Sequence, residues 1–234
     1  MILNQTRDRL NLMKLLSVNI GASQPLEVGQ HEIKTGIFKT PILGQVRVHK
    51  LGLDSDVVQN TKHHGGADQA VYVYGTGDYA WWNEQLQIDL EPGSFGENLT
   101  ITDLESADLR IGDRLHIGEV LLEIAASRIP CNTLAARMND TGFVKKFRQA
   151  RRPGLYCRVL EEGFVQAGDT VTFEPSANQY LTVLETFEMY YDPNPSLEMI
   201  ERILAAPVEF EPEKCTNQCS RNLSLNSNQL IDKA

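Results

Sequence analysis

The feature that most constrains this chain is a train of short β-like runs. They read KLLSVNIG, TGIFKT, GQVRVHKLGL, AVYVYG, NLTIT, DRLHIG, VLLEIAAS, LYCRVLEEGFV and DTVTFEP, and glycine, proline or aspartate separates them. A period of two sends successive side chains to opposite faces of a strand, so each segment can bury one face and wet the other. Over residues 14–178 this spacing predicts a mainly β domain built as a barrel or sandwich.

Helical patterns interrupt it. Residues 76–87 (TGDYAWWNEQLQ) begin with Thr76 and Asp78, which can cap, and place Tyr79, Trp82 and Leu86 at helical spacing, a pattern read as core packing. Asn132–Met138 is a short helix, and Thr141–Ala150 sets Phe143, Val144 and Phe147 on one face. Beyond the β region, VLETFEMYY, the breaker DPNP and SLEMIERILAAP predict a small helical extension over residues 179–207, with Ser196 as a cap. Residues 1–13 read as a flexible N-terminus and 208–234 as a polar, loosely ordered tail.

Net charge is −9, from 22 basic and 31 acidic residues, which argues against a protein that grips duplex nucleic acid. No apolar run approaches the roughly 20 residues of a membrane span, and the N-terminus has no continuous apolar core of a secretory signal, so a cytoplasmic protein is expected. Four irregularly spaced cysteines suit reduced thiols. Cys215 and Cys219 read as surface thiols, and Cys157 is given no role. One segment runs against the acidic balance: Lys145, Lys146, Arg148, Arg151, Arg152 and Arg158 lie between Asp140 and Glu161 without an acid among them. It is either a local anion site or a solvated helix face.

Three motifs can carry chemistry. KHHGGADQA (residues 62–70) puts two glycines, which permit close backbone approach, beside Lys62, whose point charge suits a phosphate. Adjacent His63 and His64 in an extended segment point apart and do not easily share one zinc ion. A polar turn into a strand is the bland alternative. SFGENL (94–99) sets Glu97 and Asn98 at a strand start, either as an exposed turn or as hydrogen-bonding groups for a heterocycle. In SRIPC (127–131) Arg128 stands three positions before Cys131 and can stabilise its thiolate, a nucleophile or soft-metal ligand. A cysteine after a strand is otherwise a small buried apolar group.

In their order, TGIFKTPI, GLDSD, K-x-H-G-G-x-D-x-A-V-Y, Phe-Gly-Glu-Asn-Leu, Arg-x-Pro-Cys and RPGLYCRVLEEGFVQAGD resemble the MOSC domain family, most closely its stand-alone bacterial YiiM-like members. The resemblance covers roughly residues 14–175. It implies a closed, distorted β-barrel with inserted helices (α+β, of the pyruvate-kinase-barrel-like type), an association with the pyridoxal-phosphate-binding superfamily, and binding of the molybdenum cofactor, Mo-molybdopterin. Cys131 would be the metal ligand and catalytic residue. Lys62, His64, Gly65, Gly66, Asp68 and Arg128 would hold the cofactor, with Lys62 and Arg128 at its phosphate, and Glu97 and Asn98 would meet the pterin. Ser55 stands where the family's GLxGD segment has glycine.

The implied activity is two-electron reduction of small N-hydroxylated substrates, hydroxylaminopurines or amidoximes. Electrons would come from a separate reductase, because the chain carries neither an iron–sulfur cysteine cluster nor a GxGxxG. The alternative is a carrier that holds the cofactor or its sulfur without catalysis. Oligomeric state stays open, a homodimer included.

Overall fold

A computed structural model describes residues 13–59 and 65–207. In chain order the elements are β1 (Met13–Ile20), β2 (Gln24–Val28), β3 (His31–Thr35), β4 (Thr40–Pro41), β5 (Val46–His49), β6 (Gly52–Leu53), β7 (Val71–Gly75), α1 (Thr76–Leu86), β8 (Leu99–Ile101), β9 (Arg114–Ile117), β10 (Val120–Ser127), α2 (Asn132–Arg137), α3 (Phe143–Ala150), β11 (Leu155–Glu161), β12 (Gly163–Val165), β13 (Thr170–Glu174), α4 (Val183–Tyr191) and α5 (Leu197–Leu204). The expected N-terminal and C-terminal polar segments lie outside the described residues.

Seven strands close into a barrel in the order β13-β9-β10-β11-β7-β8-β1, and β1 returns to β13 with Met13 opposite Val171. Closure leaves these strands without a free edge. Every barrel pairing is antiparallel except β7 with β8. A parallel neighbour needs a crossover, and α1 begins it. The small sheet β12-β5-β6 and the β2–β3 hairpin lie outside the barrel, and β4 extends β1.

Strand β7, VYVYG, is buried at every position. Its alternation explains why: Val71 and Val73 join Leu15, Ile101, Leu122 and Ile124 in the barrel core, while Tyr72 and Tyr74 face a second, aromatic core outside it. There Trp82 of α1 stacks on Phe143 of α3 with ring centres 5.1 Å apart, and Phe95 stacks on Tyr74 at 4.5 Å. Burying side chains of this size contributes roughly 2–3 kcal/mol each. The predicted core role of Tyr79 and Trp82 therefore holds, and this cluster forms the back wall of the site described below.

The segment TGIFKT is not one strand. Thr35 ends β3, Thr40 starts β4, and residues 36–39 run between them without ladder bonds. A side chain at Gly36 would sit 1.9 Å from the Val57 carbonyl oxygen, so this backbone passes closer to its neighbour than any other residue allows. At the other end of the chain, Thr182 and Glu185 form a reciprocal capping box on α4, Ser196 caps α5, and Arg202 of α5 reaches Glu185 at 3.0 Å. No helix among the described residues is long and apolar enough to cross a membrane.

Candidate functional site

One cleft brings together residues from TGIFKTPI, the end of KHHGGADQA, SFGENL, SRIPC and the β11 segment. The chain from β3 through Lys39 forms one wall with residues 57–59; the opposite wall carries Tyr72, Asn98, Arg128, Cys131 and Tyr156. About 780 Å³ of space lies between these walls, part of it open to solvent.

Arg128 follows directly on β10, whose register against β11 shifts between Ile124 and Ala126. Such a bulge re-aims the strand end. The arginine is buried, 4% exposed, and its guanidinium carbon lies 4.8 Å from the centre of the Tyr72 ring. One terminal nitrogen donates to the Phe95 carbonyl, but Nε has no partner among the described residues. Burial acts to lower the Arg128 pKa, yet Tyr156, Tyr72 and Cys131 outweigh it and hold the pKa above its ordinary value. The cation is permanent. Cys131 then occupies the N-cap position of α2 in extended conformation, and its carbonyl takes the amides of Leu134 and Ala135. Pro130 before it cannot continue a helix backwards into the strand. The thiol is part-buried at the cleft wall.

Lys39 supplies a second cation. It is 7% exposed and its ammonium donates to both carboxylate oxygens of Asp56, which also accepts from the Gly21 amide at 2.9 Å and from Asn98 Nδ2 at 2.8 Å. Burial lowers the Lys39 pKa more than Asp56 raises it. Asn98 in turn accepts the Tyr72 amide on Oδ1 at 3.1 Å. Lys39, Asp56 and Asn98 thus form one hydrogen-bonded chain along the cleft, anchored to β7. The turn GLDSD that presents Asp56 keeps Ser55 in the left-handed region at φ 66°.

Glu97 takes a different course from its neighbour. Its Oε1 accepts from Tyr79 at 2.6 Å, the Gly93 amide at 2.7 Å and Thr100 at 2.8 Å; Oε2 has no partner. Burial pushes its pKa up against those hydrogen bonds. It is fully buried and does not line the cleft. Gly66 sits at φ 94° before a 3-10 turn, Ala67–Gln69, with Gly65 preceding it, and Asp68 in that turn meets Arg158 at 2.6 Å. None of these three lines the cleft, although Gln69 and Ala70 beside them do. Lys62 and His64 lie outside the described residues.

Lys39, Tyr72 and Tyr156 are among the cleft residues that motif reading did not single out, and Asp56 stands behind the wall as the partner of Lys39 and Asn98. Lys39 and Asp56 stand inside TGIFKTPI and GLDSD, so the signal was present without a role attached. The basic stretch resolves largely into internal pairs: Lys146 with Asp140 at 2.7 Å, Arg151 with Glu188 and Arg152 with Asp78 at 2.8 Å, and Arg148 over the Tyr191 ring at 4.1 Å. These anchor α1, α3 and α4. Cys157 is buried in the barrel, and burial pushes its thiol well up, so it is inert. Among the described residues no group of three His, Cys, Asp or Glu side chains is placed to hold a metal ion.

Comparison with known proteins gives the following. The family model described as "MOSC domain" matches residues 60–172. The chain is 34% identical over 191 residues to "Uncharacterized protein YflK" of Bacillus subtilis, covering 82% of this chain and 86% of that one. It is 29% identical over 198 residues to a protein named "Reductase" from Gibberella moniliformis, covering 83% of this chain but only 35% of that longer one. Among solved structures, YiiM from Geobacillus stearothermophilus superimposes with a TM-score of 0.70 at 24% identity, covering 91% of this chain and 98% of that one, a likeness of fold.

Proposed function

Because this chain belongs to the MOSC domain family, we propose that it is a molybdenum-cofactor-dependent oxidoreductase that reduces small N-hydroxylated compounds with electrons from a separate reductase. The observation that carries the reading is the meeting of Cys131 and Arg128 with Asn98 and Lys39 in one cleft. A similar reductase, of which this chain spans about a third, supports redox chemistry as the class.

The residues fit the group. A thiol at the cleft wall suits a soft, sulfur-ligated metal. Beside it, a buried guanidinium with an unpartnered Nε can meet an anionic or heteroatom-rich ligand, at the cost of leaving that nitrogen orphaned when no ligand is there. Cys131 would hold the metal; Arg128, Asn98 and Lys39 would meet the organic part, joined by Lys62 and His64. When bound, the cofactor would supply the two-electron, oxygen-accepting chemistry that no side chain offers. The chain's own part is electrostatic and steric. Arg128 favours the thiolate form of Cys131, Lys39 stays tied to Asp56, and Tyr72 and Tyr156 give the cleft an aromatic wall that sheds water.

The test is turnover of 6-hydroxylaminopurine by purified, cofactor-loaded protein with a chemical reductant. Adenine formation is the expected result. Loaded protein that forms none under any reductant would instead be a carrier of the cofactor.

A further inference from the structure

The three buried tyrosines of the aromatic core have hydroxyls tied to the fold. Tyr72 donates to the Pro153 carbonyl and Tyr74 to the Arg152 carbonyl, both at 2.9 Å, while Tyr79 donates to Glu97 at 2.6 Å. Of the two tyrosines that line the cleft, Tyr72 is one of these, but Tyr156 differs: it is half-buried, and its hydroxyl makes no hydrogen bond among the described residues. Its ring packs on the aromatic core, but its hydroxyl adds no hydrogen bond among the described residues to the fold. The register of β11 sets it beside the reactive groups. Tyr156 pairs with Tyr72 on one side and with Ala126, two residues before Arg128, on the other. The rings of Tyr156 and Tyr72 lie 5.0 Å apart, and the charges of Arg128 and Cys131 both act on the phenol.

We infer that Tyr156 is a further catalytic residue, whose hydroxyl donates a hydrogen bond and then its proton to the substrate oxygen that departs as water. The inference rests on the N-hydroxylate reductase reading above. The balance is R–NH–OH plus two electrons and two protons to R–NH2 plus H2O. The N–O bond breaks and an N–H bond forms; the electrons come from the reduced iron–sulfur or flavin partner. Tyr156 provides the proton taken by oxygen and is reprotonated from solvent, which also supplies the proton on nitrogen.

Tyr156→Phe isolates the hydroxyl, since the ring contact with Tyr72 is kept and no protein hydrogen bond is lost. Two readouts on the loaded protein decide it. In equilibrium titration, wild type should bind 6-hydroxylaminopurine roughly tenfold more tightly than adenine, a discrimination that the variant loses. In turnover with a chemical reductant, kcat of the variant should fall about a hundredfold at wild-type molybdenum and pterin content. A variant that keeps the discrimination or the kcat overturns the role of Tyr156 and leaves the reductase reading untouched, as does wild type that never discriminates. Wild type that discriminates through Tyr156 but never turns over overturns the reductase reading and the proton transfer with it, leaving Tyr156 a binding contact only.

Discussion

The guanidinium carbon of Arg128 lies over the Tyr72 ring, 4.8 Å from its centre, with Nε unpartnered among the described residues. Planarity matters in such a place, because an ammonium can neither stack nor keep the Phe95 contact together with a second, in-plane donor. Arg128→Lys is therefore expected to fold with a loss of about 1–2 kcal/mol in stability but to lose at least tenfold in cofactor retention. Urea denaturation and pterin fluorescence of the same preparations check both parts.

Lys39 and Asp56 give an asymmetric prediction. Removing the carboxylate strands a buried ammonium, so Asp56→Ala should cost about 3–5 kcal/mol. The double variant Lys39→Met/Asp56→Ala removes both charges and should recover at least half of that. Urea midpoints at unchanged m-value measure it, and a double variant no better than Asp56→Ala would show that the pair is not what matters there.

Glu185 sets a pH dependence in the helical extension. Burial alone would raise its pKa from the ordinary 4.5, but the Thr182 amide and Arg202 bring it below. A depressed carboxyl pKa contributes stability that is fully present above the unfolded value and is lost as pH falls through the folded value. Protection factors in α4 and α5, taken against the intrinsic exchange rate at each pH, should thus fall as pH drops below about 4.5, and Glu185→Gln should flatten that slope.

Much of the barrel was legible because its strands obey a local rule. In β7 the period of two alone predicts that Val71 and Val73 share one face and Tyr72 and Tyr74 the other, and the two cores divide them so. Where the deciding contact is distant, the local pattern misleads. TGIFKT has strand-like composition, but Gly36 against Val57 and Lys39 against Asp56 pull it out of any ladder. The β2–β3 hairpin was silent for the opposite reason: exposed or half-exposed at nearly every position, it has no apolar face for periodicity to report. At the site, Cys131, Arg128 and Asn98 were visible as motif residues. The divergence of Glu97 from Asn98 follows from the same alternation, since adjacent residues entering a strand point to opposite sides. Tyr156 was hidden in a segment that reads only as a strand, and nothing in its neighbours announces an unbonded hydroxyl.

Ser55 offers a small local check. Its left-handed backbone, φ 66°, is one that glycine adopts without strain. Ser55→Gly should be neutral or stabilising by up to about 1 kcal/mol, read from the thermal midpoint, with the Lys39–Asp56 pair intact.

The account stands on the sulfur of Cys131. Wild type and Cys131→Ala, both made in a host that builds the molybdenum cofactor, should be compared for bound molybdenum and pterin, with circular dichroism to confirm the fold. Stoichiometric metal in wild type and its near-complete loss from a folded variant is the predicted result; a folded Cys131→Ala that keeps wild-type molybdenum would contradict it.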